Sequence, residues 1–261
     1  MKTILFTGAR SGIISGVIDK LKRKKYEIYV TVHTDTQLEV VKEKYKKDKN
    51  IHCMKIDVTE KQDREKLLYL DIDILVCNGA VGYGGSISEM DMKLVRQNFE
   101  VNVFSNFELV QIVLEKMIEK NKGKIIFMSS LAAIYPIPFL GSYSATKASI
   151  SALALTLRKE LKYLHSKIEI AVIEPGLYHT GFNQVMFQNK YEWMDIDSYF
   201  SMCMDKIRRK EKLLEKYVEK KSLHSIEKRI LESIKEKHPC SIYRAPFLQT
   251  VFAKTYQIFF E

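Results

Sequence analysis

Cysteine is scarce in this sequence and never clustered: Cys53, Cys77, Cys203 and Cys240 stand far apart. Zinc sites need closely spaced ligand pairs, and disulfide frameworks belong to short, cysteine-dense secreted chains. Neither pattern is present, and a reducing, cytoplasmic setting is expected. No apolar run approaches the ~20 residues that span a bilayer. The opening stretch, Met1–Phe6, runs straight into Thr7-Gly8, without the apolar region or cleavage site of a signal peptide. Internal repeats and Gly/Ser linkers are missing too. So is a localised Arg/aromatic surface. The net charge of +10 comes mostly from lysines scattered over stretches such as Lys20–Lys25 and Lys42–Lys49. That distribution reads as a solvated face rather than a nucleic-acid footprint, although a basic surface also suits a phosphorylated cofactor or an acidic carrier.

What is present is alternation. The 261 residues are 46% hydrophobic and 28% charged, ordinary for one soluble domain with a small appendage. Strand-like runs at Thr3–Thr7, Glu27–His33, Ile51–Ile56, Ile72–Cys77, Lys124–Ser129 and Ile168–Ile173 are separated by helical stretches. The helices are expected at Gly12–Lys25, Gln37–Lys47, Lys61–Leu70, Ser88–Lys120 (broken near Phe99–Val101) and Tyr143–Leu164. This rhythm implies right-handed βαβ units: an α/β, doubly wound parallel sheet of about seven strands with helices on both faces. Its ligand belongs beyond the carboxyl ends of the strands. The rhythm fades after residue 176. Residues 178–238 read as a substrate loop and helical insertion, Cys240–Tyr243 as a seventh strand, and 245–261 as an apolar C-terminal segment. That last segment is expected to pack on the domain or a second subunit, with weak membrane-surface association as the alternative.

The first strand ends in Thr7-Gly8-Ala9-Arg10-Ser11-Gly12-Ile13-Ile14-Ser15-Gly16. A glycine-rich turn between a strand and a helix lets the backbone approach a pyrophosphate, and the helix N-terminus supplies amide donors. The second strand ends without an acid at Val32 or His33; Asp35 comes slightly late. Arg10 can pair with a phosphate in bidentate fashion. This favours NADP(H) over NAD(H).

Tyr143 and Lys147 lie four residues apart, on one face of a helix. An ammonium beside a phenol stabilises the phenolate, so Lys147 is expected to lower the Tyr143 pKa towards neutrality and make it a usable acid/base. Ser130, thirteen residues earlier at a strand end, can donate to a substrate oxygen. Its neighbour Ser129 should point the other way, by strand alternation.

Together these motifs resemble the short-chain dehydrogenase/reductase (SDR) family, whose active-site segment is closely matched by residues 123–151. The turn resembles TGxxxGxG, except that Ile14 stands where the family has its third glycine, a change expected to crowd the cofactor. Cys77-Asn78-Gly79-Ala80 resembles the family's NNAG, and Glu174-Pro175-Gly176 its PG motif. The resemblance implies a Rossmann-type oxidoreductase with catalytic Ser130, Tyr143, Lys147 and Asn102. It implies cofactor contacts from Thr7, Gly8, Arg10, Ser11, Gly12, Ile13, His33, Asp57, Val58, Asn78, Gly79, Ala80, Pro175, Gly176 and Thr180, besides Tyr143 and Lys147. Ala132, Tyr135, Leu177, Tyr178, Phe182 and Met186 would join Ser130 around a hydrophobic carbonyl or alcohol. A dimer or tetramer is expected by the same likeness. A non-catalytic nucleotide-binding scaffold and a carrier-linked 3-oxoacyl reductase stand as alternatives.

Overall fold

A computed structural model describes residues 1–10 and 12–260 of the chain. Strands β1 (Lys2–Phe6), β2 (Tyr26–Val32), β3 (Ile51–Lys55), β4 (Ile74–Cys77), β5 (Gly123–Met128), β6 (Ile168–Pro175) and β7 (Ile242–Ala245) form one parallel sheet in the order 3-2-1-4-5-6-7. Its central strands are apolar on both faces, as a sheet covered twice requires. Ile4 and Phe6 point into one core layer and Leu5 into the other, following the two-residue period of a strand.

Helices α1 (Gly12–Leu21) and α2 (Asp35–Tyr45) cover the first face. Ile14, Val17, Ile18 and Leu21 of α1 are fully buried there. On the opposite face lie α4 (Met92–Phe99), α5 (Ser105–Glu119) and α6 (Gly141–Tyr163), preceded by the five-residue α3 (Lys61–Glu65) and a 3-10 turn at Lys66–Tyr69. The single long helix expected over 88–120 is α4 and α5 joined by a π-helical turn, Glu100–Phe104, where the sequence pattern already marked a break.

Beyond β6 come α7 (Phe182–Asp197), α8 (Met204–Tyr217) and α9 (His224–Lys235), then β7 and α10 (Phe247–Phe260). The seventh strand forms two residues later than expected. α9 returns to the first face, where Ile226, Ile230 and Ile234 join the α1 layer. Its last carbonyls are closed by a buried lysine: Lys124 donates to Ser233 O (2.7 Å), Ile234 O (2.9 Å) and Glu236 O (2.6 Å). A cation at a helix C-terminus suits both the orphan carbonyls and the macrodipole. Gly16 of α1 leaves room for the Glu227 carboxylate of α9, which packs against it. The strand order reverses between β1 and β4, which leaves a crevice at their carboxyl ends.

Candidate active site

Ser130 follows β5, and α6 carries Tyr143 and Lys147 past it. The Ser130 hydroxyl accepts from Ala132 N (3.1 Å), lies 3.4 Å from Pro175 O on β6, and is near enough to the Tyr143 phenol to favour its ionised form. Lys147 Nζ donates to Met128 O at 2.9 Å and sits 5.6 Å from the Tyr143 ring centroid. All three residues meet at the carboxyl ends of β5 and β6. Ser129 does turn away: its hydroxyl donates to Lys147 O at 2.8 Å.

The charge states differ from the sequence expectation. Burial pushes Tyr143 up to about 12, opposed by the nearby Ser130 hydroxyl, and pushes Lys147 down to about 8. The lowering of the phenol by Lys147 is therefore not realised in this arrangement. Desolvation outweighs a neighbour whose own charge is disfavoured by the same burial.

A second group of residues, unread in the sequence apart from Asn102, shapes the loop after β4. Asn98, Asn102 and Asn106 stand at i, i+4 and i+8 along α4, the π-turn and α5, and all three are buried. Asn98 accepts from Tyr83 N (3.0 Å) and donates to Tyr83 O (3.0 Å). Asn102 does the same with Val81 N (2.8 Å) and Val81 O (2.9 Å). Asn106 donates to Gly79 O at 3.0 Å. Three side-chain amides thus pair with alternate residues of an extended segment, as a neighbouring strand would. Asn98 also donates to Ser142 Oγ (2.8 Å) and Asn102 to Thr146 Oγ1 (3.1 Å). The ladder therefore ties the loop to the two residues that flank Tyr143 and Lys147 on α6. The signal for it was the four-residue spacing of three asparagines along one face of a helical stretch, where asparagine is unfavourable without a task.

A buried carboxylate backs the same site. Glu174, 1% exposed, receives Arg244 Nε at 2.6 Å and lies 3.0 Å from Ser151 Oγ. Ser151 Oγ is 2.8 Å from Ser129 Oγ, which holds the Lys147 carbonyl. The network runs from β7 through β6 to the backbone of Lys147.

At the crevice, Thr7 Oγ1 accepts from Asn78 N (2.9 Å) and Gly79 N (3.0 Å), and Asn78 Nδ2 donates to Gly8 O (2.8 Å). Gly8 adopts φ +57°, and a Cβ there would sit 2.6 Å from Gly79 Cα. Only glycine lets the β1 and β4 turns close on each other. Gly12 opens α1 and is exposed, Ile13 is half-buried, and Gly79 and Ala80 line the turn half-exposed. Ser11 lies outside the described residues. Ile14 does not crowd the crevice: its side chain is fully buried in the α1 layer, which corrects the expectation that it intrudes on a cofactor. Arg10 and His33 are both exposed, Thr34 caps α2, and Asp35 is paired with Lys55 at 2.6 Å.

Asp57 accepts from Thr59 N (3.0 Å) and Thr59 Oγ1 (2.7 Å), a local turn contact. The Val58 side chain packs in the second core layer beside Ile56 and Leu67, which leaves its backbone as the part that could meet a cofactor. Thr180 accepts from Phe182 N at 3.4 Å at the start of α7, and Gly176 N donates to Ala245 O at 2.8 Å. The donor set fits a dinucleotide: exposed amides at the start of α1, a glycine turn that a Cβ would fill, and basic groups beyond β1 and β2. Among the described residues, no group of three or more His, Cys, Asp or Glu side chains could hold a metal ion.

On the substrate side, Ala132, Leu140, Tyr143, Met186 and Phe187 form one apolar cluster, with Leu177 and Phe182 against it. The Phe182 and Tyr143 ring centroids are 5.9 Å apart. α7 thus lies over the Tyr143 ring, and its buried Lys190 is paired with Glu211 of α8. Tyr178 is not part of this lining. It is 1% exposed within the α1–α9 layer, and its hydroxyl meets Ser225 Oγ at 2.7 Å. Tyr135 faces α10, edge-on to Phe252 and Tyr256.

The profile of the family described as short chain dehydrogenase matches residues 2–191. The uncharacterized oxidoreductase YusZ of Bacillus subtilis (strain 168) is 31% identical over 213 residues, covering 79% of this chain and 75% of that one. An NADPH-dependent 3-dehydrocapnine reductase of Ornithobacterium rhinotracheale is 29% identical over 188 residues, 67% of this chain and 65% of that one. The solved structure of a closed serine dehydrogenase complexed with NADP+ superposes with a TM-score of 0.78 at 22% identity, over 95% of this chain and 96% of that one, a likeness of fold. With the parallel sheet, the β1 turn and the Ser–Tyr–Lys cluster in place, the chain belongs to the short-chain dehydrogenase/reductase family of oxidoreductases.

Proposed function

We propose that the protein is an NADP(H)-dependent oxidoreductase that interconverts a hydrophobic carbonyl compound and its alcohol. One observation carries this reading: Ser130, Tyr143 and Lys147 converge at the carboxyl ends of β5 and β6, with Lys147 Nζ 5.6 Å from the Tyr143 ring centroid. The β1 turn, Asn78 to Ala80, and the Pro175–Gly176 loop hold the nucleotide, and Arg10 and His33 receive its 2′-phosphate. Support for the phosphorylated form comes from two exposed basic groups without a competing acid, since Asp35 is engaged by Lys55. The similar NADPH-dependent reductase points the same way.

When bound, the nicotinamide supplies or accepts the hydride at the carbon bearing oxygen. The chain's own residues handle the proton and the geometry. Tyr143, held as a phenol through neutral pH by its burial, donates its proton to the oxygen as negative charge develops there. Ser130 donates a second hydrogen bond to the same oxygen and orients it. Lys147 holds its position through Met128 O and stabilises the phenolate that remains. Phe182, Met186 and Phe187 exclude water and select apolar substituents. A non-catalytic nucleotide-binding scaffold would have no need of Ser130, Tyr143, Lys147 and Asn102 together, and Ile14, which with the altered Asn78 motif supports it, is turned into the core.

The test is NADPH and NADH binding by fluorescence for the native protein and for Tyr143→Phe, followed by nicotinamide absorbance with hydrophobic ketones and aldehydes. Tighter NADPH binding, kept in Tyr143→Phe while turnover falls at least about a hundredfold, is expected from loss of the general acid. Failure of the native protein to bind either nucleotide overturns the proposal.

A further inference from the structure

α10 is amphipathic in the reverse of the usual sense. Phe247, Leu248, Val251, Phe252, Ile258 and Phe259 recur at helical spacing on one side, and that side faces out. Phe247, Leu248, Ile258 and Phe259 are 78, 71, 75 and 74% exposed. The inward side is carried by the small Ala253, which is buried, and by Gln249, which donates to Val218 O at 2.8 Å and accepts from Leu177 N at 2.7 Å. The helix is therefore anchored by Gln249, by Ala253 and by the Phe252 and Tyr256 rings on Tyr135, and presents Phe247, Leu248, Ile258 and Phe259 outward. A contiguous face of this kind marks an interaction site rather than ordinary surface.

The charge around it says what the face meets. Lys254 is the one charged residue in 247–260, and it is exposed. The Gln249–Val218 contact sets the first turn of α10 against the end of α8, where Lys216, Lys220 and Lys221 are exposed. The acid among them, Glu219, has a side chain only 6% exposed and is held by His179 and Gln184. Lys254 on α10 itself and the three exposed lysines beside its first turn thus form a cationic rim to the helix. A two-fold contact between copies would bring such a rim against itself, whereas an anionic surface satisfies both the rim and the apolar face. No helix among the described residues is long and apolar enough to cross a membrane, so the fit is to a helix lying in the interface plane.

We propose that α10, with the lysines at 216, 220, 221 and 254, is a docking surface for an anionic phospholipid bilayer. Tyr135, five residues beyond Ser130, meets Phe252 and Tyr256 at ring-centroid distances of 5.3 and 4.7 Å. Docking therefore brings the substrate end of the sheet to the membrane.

The experiment is co-flotation of the full chain with phosphatidylcholine vesicles, with and without phosphatidylglycerol, alongside sedimentation velocity. Phosphatidylglycerol is expected to raise binding at least about tenfold, because each lysine near an anionic surface changes binding roughly fivefold. High salt should remove that gain. Leu248→Glu with Phe259→Glu should abolish flotation, and Lys216→Glu with Lys220→Glu and Lys221→Glu should abolish the lipid preference. All five positions are exposed, and unchanged melting temperatures check the fold. Absence of flotation with phosphatidylglycerol, or equal flotation by the Leu248→Glu/Phe259→Glu variant, overturns the proposal. A dimer that this variant dissolves, without flotation, overturns it in favour of a second copy of the chain. The readout is binding without turnover, so its failure is separate from any failure of the reductase proposal.

Discussion

Replacing Asn98 by alanine tests whether the asparagine ladder organises the site. Asn98 is fully buried and makes three hydrogen bonds, to Tyr83 N, Tyr83 O and Ser142 Oγ, at 3.0, 3.0 and 2.8 Å. Each neutral bond contributes about 1 kcal/mol net, which sums to about 3 kcal/mol. Ser142 keeps its 3.3 Å contact with Tyr83 O, but the Tyr83 N–H loses the acceptor that Asn98 supplied, which adds to the cost. Asn106→Ala should cost less, because it leaves no loop N–H without an acceptor: Asn106 only donates, to Gly79 O of the loop and to Val101 O and Asn102 O of the preceding π-turn, and its Oδ1 has no partner. Urea denaturation of both variants measures the difference. NADPH affinity should fall with Asn98→Ala as well, because the segment 79–83 runs between the nucleotide turn and the residue preceding Tyr143. A loss below about 1 kcal/mol for Asn98→Ala, or the reverse ranking of the two variants, would refute the ladder as an organising element.

Further outcomes follow from other contacts. Glu174→Gln leaves Arg244 without its buried partner and should cost about 3–5 kcal/mol, with a lowered kcat through Ser151, Ser129 and Lys147. Much of the stability should return in Glu174→Gln/Arg244→Met, and additive losses in that cycle would exclude the coupling. Lys147, held down to about 8 against its ordinary 10.5, binds fewer protons in the folded than in the unfolded chain between those pH values. The folded state therefore loses about 3 kcal/mol as pH falls through that window, and the deficit stays constant below it. Lys147→Met should remove this part of the slope in nucleotide-free protein, leaving that of Lys124, which burial also holds down to about 8, and parallel stability curves for the two proteins would sink the assignment. Gly8→Ala forces a Cβ into the Gly79 backbone at φ +57° and should destabilise the β1–β4 turn and abolish nucleotide binding, read by nucleotide fluorescence. Wild-type affinity would show that the turn can open.

Much of the chemistry was already local in the chain. Strand alternation, the glycine turn after β1 and the four-residue spacing of Tyr143 and Lys147 are short-range features, and with the family resemblance of residues 123–151 they placed Ser130, Tyr143 and Lys147 at one end of a parallel sheet. What the tertiary structure decided was direction and environment. Ile14 and Val58 sit beside cofactor motifs in the sequence, yet the rotation of α1 and the turn after β3 carry both into the core. Tyr178 follows the Pro175–Gly176 loop but is buried by α9, an element about fifty residues away. The partners of Asn98 and of Glu174 are equally remote in sequence, at Tyr83, Ser142, Ser151 and Arg244. The Tyr143 pKa depends on the volume packed around the ring rather than on the lysine four residues away. Residue order sets which groups share a helix face or a strand end. Desolvation, the aim of a side chain and the exposure of α10 depend on segments that meet only when the sheet closes.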